Sequence, residues 1–152
     1  MSRLLGLDFG VRRVGAALSD PRRLIATPLE VYARVSAERD ILHYRAIAVE
    51  HEAVALVVGL PLHTGGGEGD AARLARDWGR WLASGLNLDI FFYDERYTTV
   101  DADEILRDRK LNAPQRRARR DMLAAQILLQ RYLDAGCPRV EAPALGLDDA
   151  YP

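Results

Sequence analysis

The stretch LLGLDFGVRRVGAALSD, residues 4–20, decides how the rest of the chain is read. Its apolar run predicts a β-strand from Leu4 to Gly10, and Val14 to Ser19 predicts the antiparallel partner across a short turn. Gly10 and Gly15 suit a tight turn and a close approach of backbone. Asp8 interrupts the first strand. A lone carboxylate buried in a central strand is costly unless something compensates it.

Downstream, Ile25 to Tyr32 predicts a third strand, and Pro28 within it argues for a sheet edge. Ser36 is a good N-cap for a helix reaching about Glu52. VALVVGL, residues 54–60, reads as a strand covered on both faces. HTGGGEG, residues 63–69, reads as a loop. The helix after it places Ala71, Leu74, Ala75, Trp78, Trp81 and Leu82 on one stripe.

LDIFFYDE, residues 88–95, predicts another buried strand, followed by a short helix over TTVDADEILRD, where Thr98 and Asp101 have capping-box spacing. The basic segment with Pro114 reads as a loop. A last helix, apolar around most of its circumference, is expected from about Arg119 to Ala135. The fold class is therefore α/β, with a mixed five-stranded sheet and helices on both faces. One domain is expected over residues 1–136, with a Pro-rich, poorly ordered tail over 137–152.

Composition narrows the function classes. A chain of 152 residues can bury a core without disulfides or metals. Its one cysteine, Cys137, cannot form an internal disulfide. With no signal-peptide pattern and no apolar run of membrane-spanning length, a cytoplasmic protein without membrane contact is expected.

The net charge of −1 conceals an imbalance. Residues 107–121, RDRKLNAPQRRARRD, carry a local charge of +5, and the remainder carries −6. Such a basic stripe is an electrostatic footprint for nucleic acid.

Three acids stand out against that stripe. Asp8 and Glu95 sit at the carboxyl ends of predicted strands, where α/β sheets place their sites. Asp121 opens the last predicted helix, in the angular stripe of Ala124, Ala125, Leu128 and Tyr132. Like charges brought together need a cation. Hard ions such as Mg²⁺ or Mn²⁺ prefer carboxylate oxygens and keep room for water and phosphate. Two such ions about 3.5–4 Å apart can activate water and stabilise the leaving oxygen of a phosphodiester.

Each acid also has an ordinary reading. Asp8 could cap a turn with Arg12 or Arg13 as its partner. Glu95 and Asp94 could pair locally with Arg96, and Asp121 could favour a helix dipole from the first turn. An arginine run is commonly a solvated face. The conjunction favours a functional reading more than any one of these does.

Other patterns carry less. VGLPLHTGGGEG lacks the Gly-Lys-Ser/Thr ending of a P-loop. His63 in that loop could contact phosphate, although a surface histidine is the plainer reading. The scattered histidines and single cysteine do not make a zinc site. Trp78 and Trp81 read as core rather than as a base-stacking platform.

The set LGLDFGVRRVGAALSD, VVGLPL, YDERYTTVDAD and RRDMLAAQILLQRYLD resembles the YqgF/RuvX family of Holliday-junction-resolvase-like proteins, also regarded as nucleases maturing pre-16S ribosomal RNA. The resemblance spans roughly residues 3–134. It implies a ribonuclease H-like fold and an acidic triad of Asp8, Glu95 and Asp121 holding one or two Mg²⁺ or Mn²⁺ ions. Arg96, Thr98 and Thr99 match the family's arginine and hydroxyl pair. One departure is clear: where the family commonly has Asn-Met-Asp-Gly, this chain has His63, Thr64, Gly65 and Gly66.

The function this implies is metal-dependent endonuclease action on a four-way DNA junction or precursor rRNA. Arg12, Arg13, Arg96, Thr98, Thr99, Arg109, Lys110, Arg116, Arg117, Arg119 and Arg120 are the expected nucleic-acid contacts. A monomer or a homodimer is expected, and symmetric junction cleavage calls for the dimer. Two rivals are weighed: a non-catalytic nucleic-acid-binding module in ribosome assembly or transcription, and, more remotely, an actin-like nucleotide binder.

Overall fold

The computed structural model describes residues 2–61, 69–94 and 112–139. The opening stretch forms β1 (Arg3–Phe9) and β2 (Arg13–Ser19), an antiparallel pair that sets Asp8 opposite Gly15. β3 (Ala26–Ala33) pairs antiparallel with β2. Pro28 cannot donate to the ladder, and β3 accordingly lies at the sheet edge, with a register shift at Ala16/Ala17.

Ser36 caps α1 (Ala37–Glu50) by accepting from Arg39 N. β4 (Ala53–Leu60) runs parallel beside β1, and α2 (Asp70–Leu86) leads to β5 (Asp89–Asp94), parallel to β4. α3 (Ala113–Asp134) completes the order β3-β2-β1-β4-β5. Among the described residues no helix is long and apolar enough to cross a membrane.

Side-chain alternation along the strands divides the core in two. Leu5, Leu7, Val14, Leu56 and Val58 pack toward α1 and α2. Leu4, Ala17, Ala55 and Val57 pack toward Ala125, Leu129, Tyr132 and Leu133 of α3. Two glutamines pin α3 across the sheet. Gln130 Oε1 accepts from Ala26 N at 2.8 Å, its Nε2 donates to Leu24 O at 2.9 Å, and Gln126 Nε2 donates to Ala26 O at 3.2 Å.

At the far end of α3, Tyr132 donates to Pro138 O at 2.8 Å. Burial pushes its phenol up to about 12, so the hydroxyl keeps its proton at neutral pH.

Several expectations need correction. α3 begins at Ala113, not near Arg119, because Asn112 and Gln115 form a reciprocal capping box and Pro114 sits in the first turn, where its missing N–H is harmless. The segment carrying Arg116 and Arg117 is thus helix rather than loop. Asp121 lies two turns into that helix, so an interaction with the N-terminal dipole no longer explains it. Nor is α3 apolar around its circumference: Ala113 to Arg119 are exposed.

Among the described residues β5 is an edge strand, and only Phe92 in it is fully buried. On α2 the buried residues are Ala72, Ala75, Arg76, Trp78, Gly79, Leu82 and Ala83. They centre near Gly79, where a Cβ would meet Ile90 Cδ1 at 2.8 Å. Ala71, Leu74 and Trp81 are therefore rotated out of the core. The predicted helix over residues 98–108, its capping box, the loop at 63–68 and residues 140–152 lie outside the described residues.

The contact that seats α3 is the absence of a side chain at Gly15: a Cβ there would stand 2.2 Å from Asp121 O. Gly15→Ala is expected to cost about 1–3 kcal/mol as α3 is pushed off the sheet. Urea denaturation measures this, and an unchanged midpoint would refute the contact.

Candidate active site

Asp8 shares its face of β1 with Leu4, which packs toward α3, and with Gly6, where a Cβ would meet Leu129 Cβ at 2.8 Å. It therefore stands on the α3 side of the sheet, at the carboxyl end of its strand. Its register partner Gly15 lies about 4.5–5.5 Å away between Cα atoms, the spacing of opposed antiparallel residues.

α3 crosses directly above that glycine. Asp121 O and Ala125 Cβ would lie 2.2 and 3.5 Å from a Cβ on Gly15. Asp121, Ala125 and Leu129 follow one another at a spacing of four, so Asp121 continues the stripe that seats α3. Asp8 and Asp121 are thus brought to one face of one rim. The short step between them is set by a residue with no side chain.

The site is polar and open rather than sealed. Arg13 lies on the same face of β2 as Gly15, and its Nη2 is 3.3 Å from Asp121 Oδ2. The side chains of the pair are 39% and 28% exposed. The sequence offers Arg13 to nucleic acid or to Asp8; in the structure it forms an ion pair with Asp121. Half-exposed carboxylates leave room for water and a phosphate, and their hard oxygens suit Mg²⁺ or Mn²⁺.

The third predicted acid, Glu95, follows Asp94, the last residue of β5, and lies outside the described residues. β4 separates β1 from β5, so the first and fifth strands are not neighbours. The parallel run of β1, β4 and β5 nevertheless brings their carboxyl ends to one rim. Among the described residues no group of three acids, histidines or cysteines is close enough to hold a metal ion.

Of the predicted nucleic-acid contacts, Arg12 is exposed in the β1–β2 turn. Arg116, Arg117 and Arg119 are exposed on the first turns of α3, and Arg120 is half-buried beside Asp121. Arg117 precedes Asp121 by four residues and so lies on its stripe. His63, Arg96, Thr98, Thr99, Arg109 and Lys110 lie outside the described residues.

Sequence reading missed the Arg13–Asp121 pair, which joins residues far apart in the chain. It also missed an aromatic cleft on the opposite face of the same rim. The signal for the cleft was Trp81, which reads as core by spacing but is 37% exposed.

Residues 2–135 match the model of the RuvX family, described as Holliday junction resolvases. The chain belongs to that family. A Roseiflexus sp. relative, provisionally named pre-16S rRNA nuclease, is 41% identical over 133 residues, covering 88% of this chain and 94% of its own. A Rhodopirellula baltica relative with the same provisional name is 36% identical over 148 residues, covering 97% and 86%.

RuvC of T. thermophilus, solved with a Holliday junction substrate, shares the fold at a TM-score of 0.53 and 15% identity, over 88% of this chain and 96% of RuvC. The Fowlpox virus resolvase, solved with Holliday junction DNA, shares it at 0.54 and 7%, over 90% and 99%. This RuvX-family chain therefore has the ribonuclease H-like fold expected from its motifs.

The Arg13–Asp121 pair is half-exposed, and such pairs contribute little to stability. Arg13→Ala is expected to cost at most about 1 kcal/mol in urea denaturation. A loss above roughly twice that would mean the pair is structural rather than part of an open site.

Proposed function

We propose that this chain is a divalent-metal-dependent endonuclease that hydrolyses phosphodiester bonds in structured nucleic acid. The observation that carries the proposal is the convergence of Asp8 and Asp121 over Gly15, at a rim flanked by the arginines of α3. The names of the relatives and the junction-bound RuvC support the same chemistry.

In this reading Asp8, Glu95 and Asp121 hold one or two Mg²⁺ or Mn²⁺ ions. Such ions supply Lewis acidity and a water activated for in-line attack on phosphorus. Until an ion is bound, Arg13 offsets part of the charge on Asp121. Arg12, Arg116, Arg117, Arg119 and Arg120 grip the backbone flanking the scissile phosphate, with Arg96, Thr98, Thr99, Arg109, Lys110 and His63 as further contacts. Residues 1–136 form the nuclease domain, acting in the cytoplasm. The substrate is the 5′ region of pre-16S rRNA or a four-way DNA junction, and the junction would require a two-fold dimer.

Cleavage of a labelled junction and of a structured RNA with a single-stranded flank tests this with wild type and Asp8→Asn, in Mn²⁺, Mg²⁺ or EDTA. Wild type is expected to cut at least one substrate, and Asp8→Asn is expected to fall to the EDTA level while still binding. Binding without cleavage by wild type in either metal would replace the nuclease with a binding module. If about five cations contact phosphates, affinity should fall roughly 500-fold between 50 and 200 mM salt. A flat salt response would remove the arginines from the interface.

A further inference from the structure

On the face of the rim opposite Asp8 lies a cleft of about 330 Å³. Its apolar walls are Phe9, Val11, Leu74, Trp78 and Trp81, with Arg34 beside them. We propose that it receives one nucleobase of the strand whose backbone passes Asp8 and Asp121, a reading that rests on the nuclease proposal.

Position is the first argument. Phe9 directly follows Asp8 in β1, and strand alternation turns it to the other face, where it packs with the core under α1 and α2. A strand laid across this rim has its phosphates on the acidic side while an unstacked base meets the aromatic side. One turn of backbone, Gly10 to Arg12, separates the two.

Chemistry is the second. Val11 is 69% exposed, Leu74 51% and Trp81 37%, an unusual concentration of large apolar side chains around one concavity. Mostly apolar walls with a few placed polar groups mark a ligand site. Aromatic faces stack on any base, and a guanidinium adds a second planar surface with positive charge.

Two buried polar atoms of residues that border the cleft, Trp78 Nε1 and Asp77 Oδ1, have no hydrogen-bond partner among the described residues, and native structures leave few such groups.

The wall is also pre-set. Phe9 and Trp78 pack at 4.9 Å between ring centroids. Arg34 stands over Phe9 at 5.0 Å, donates from Nη1 to Val11 O at 2.7 Å, and donates from its backbone N to Arg12 O at 2.9 Å. Buried Asp40 accepts from Tyr32 Oη and Val35 N, which fixes the segment leading into α1. A protein partner would need about 800 Å² of matching surface, of which this cleft is a small part.

The test uses the full chain carrying Asp8→Asn, so that bound strands stay intact. It is titrated with an RNA bearing a single-stranded flank and, separately, with a four-way DNA junction. In each, a single abasic position is moved along the strand. One position is expected to weaken binding about 5- to 150-fold, the range for loss of one stacked base. Trp81→Ala should weaken binding of the intact strand similarly and erase the abasic effect, because both remove the same contact. Leu74→Ala, at an exposed position, should do the same to a smaller degree should Trp81→Ala fold poorly.

The arm that responds identifies RNA or DNA as the source of the base. Salt-sensitive binding with no sensitive abasic position, or with Trp81→Ala and abasic effects that add in full, overturns the cleft proposal and leaves the nuclease standing. Failure of the parent chain to bind either nucleic acid overturns both.

Discussion

The approach of α3 to the bare backbone of Gly15 is the constraint on which the rest of the site depends. Packing of a helix on a sheet normally keeps the two backbones apart by the depth of their side chains. Here a Cβ at Gly15 would collide with Asp121 O at 2.2 Å, so the helix sits directly on the strand at this point. Gly6, under Leu129 two turns further along α3, extends the same low track. The glutamines at 126 and 130 then fix the helix against the open backbone at the start of β3. An acid on a strand and an acid on a helix are thereby brought to one rim by packing, against the repulsion of two like charges.

That arrangement explains why a carboxylate can stand in a central strand at all. Asp8 occupies the last turn of the pleat before the rim, half-exposed rather than enclosed, so it keeps part of its hydration. Arg13, one step beyond Gly15 on the same face, supplies positive charge to Asp121. The parallel strands β1, β4 and β5 end at the same edge, the usual location of sites in such sheets. Alternation along β1 gives the two sides of that edge different characters, acidic at Asp8 and aromatic at Phe9.

Much of this was legible in residues 4–20. The hairpin, the interruption at Asp8 and the need for close approach at Gly15 all follow from local pattern, and Pro28 correctly marked an edge. What was misread shares a cause: a local signal with two physical solutions. Pro114 reads as a helix breaker unless Asn112 and Gln115 are recognised as a capping box, after which it is a favourable first-turn residue. A three-four spacing on α2 admits neighbouring stripes, and the one chosen by the fold centres on Gly79, which no hydrophobic pattern weights. LDIFFYDE reads as a buried strand because composition records apolar faces, not neighbours along the ladder. The Arg13–Asp121 pair depends on tertiary register and leaves no local trace.

The most direct measurement is Mn²⁺ affinity, by calorimetry or electron paramagnetic resonance, for wild type, Asp121→Asn and Glu95→Gln in the absence of nucleic acid. If the three acids share one site, each substitution should weaken the ion by roughly tenfold or more, since even residues behind the ligands typically cost that much. Wild-type affinity in Asp121→Asn, with the protein folded, would contradict a shared metal site across Gly15.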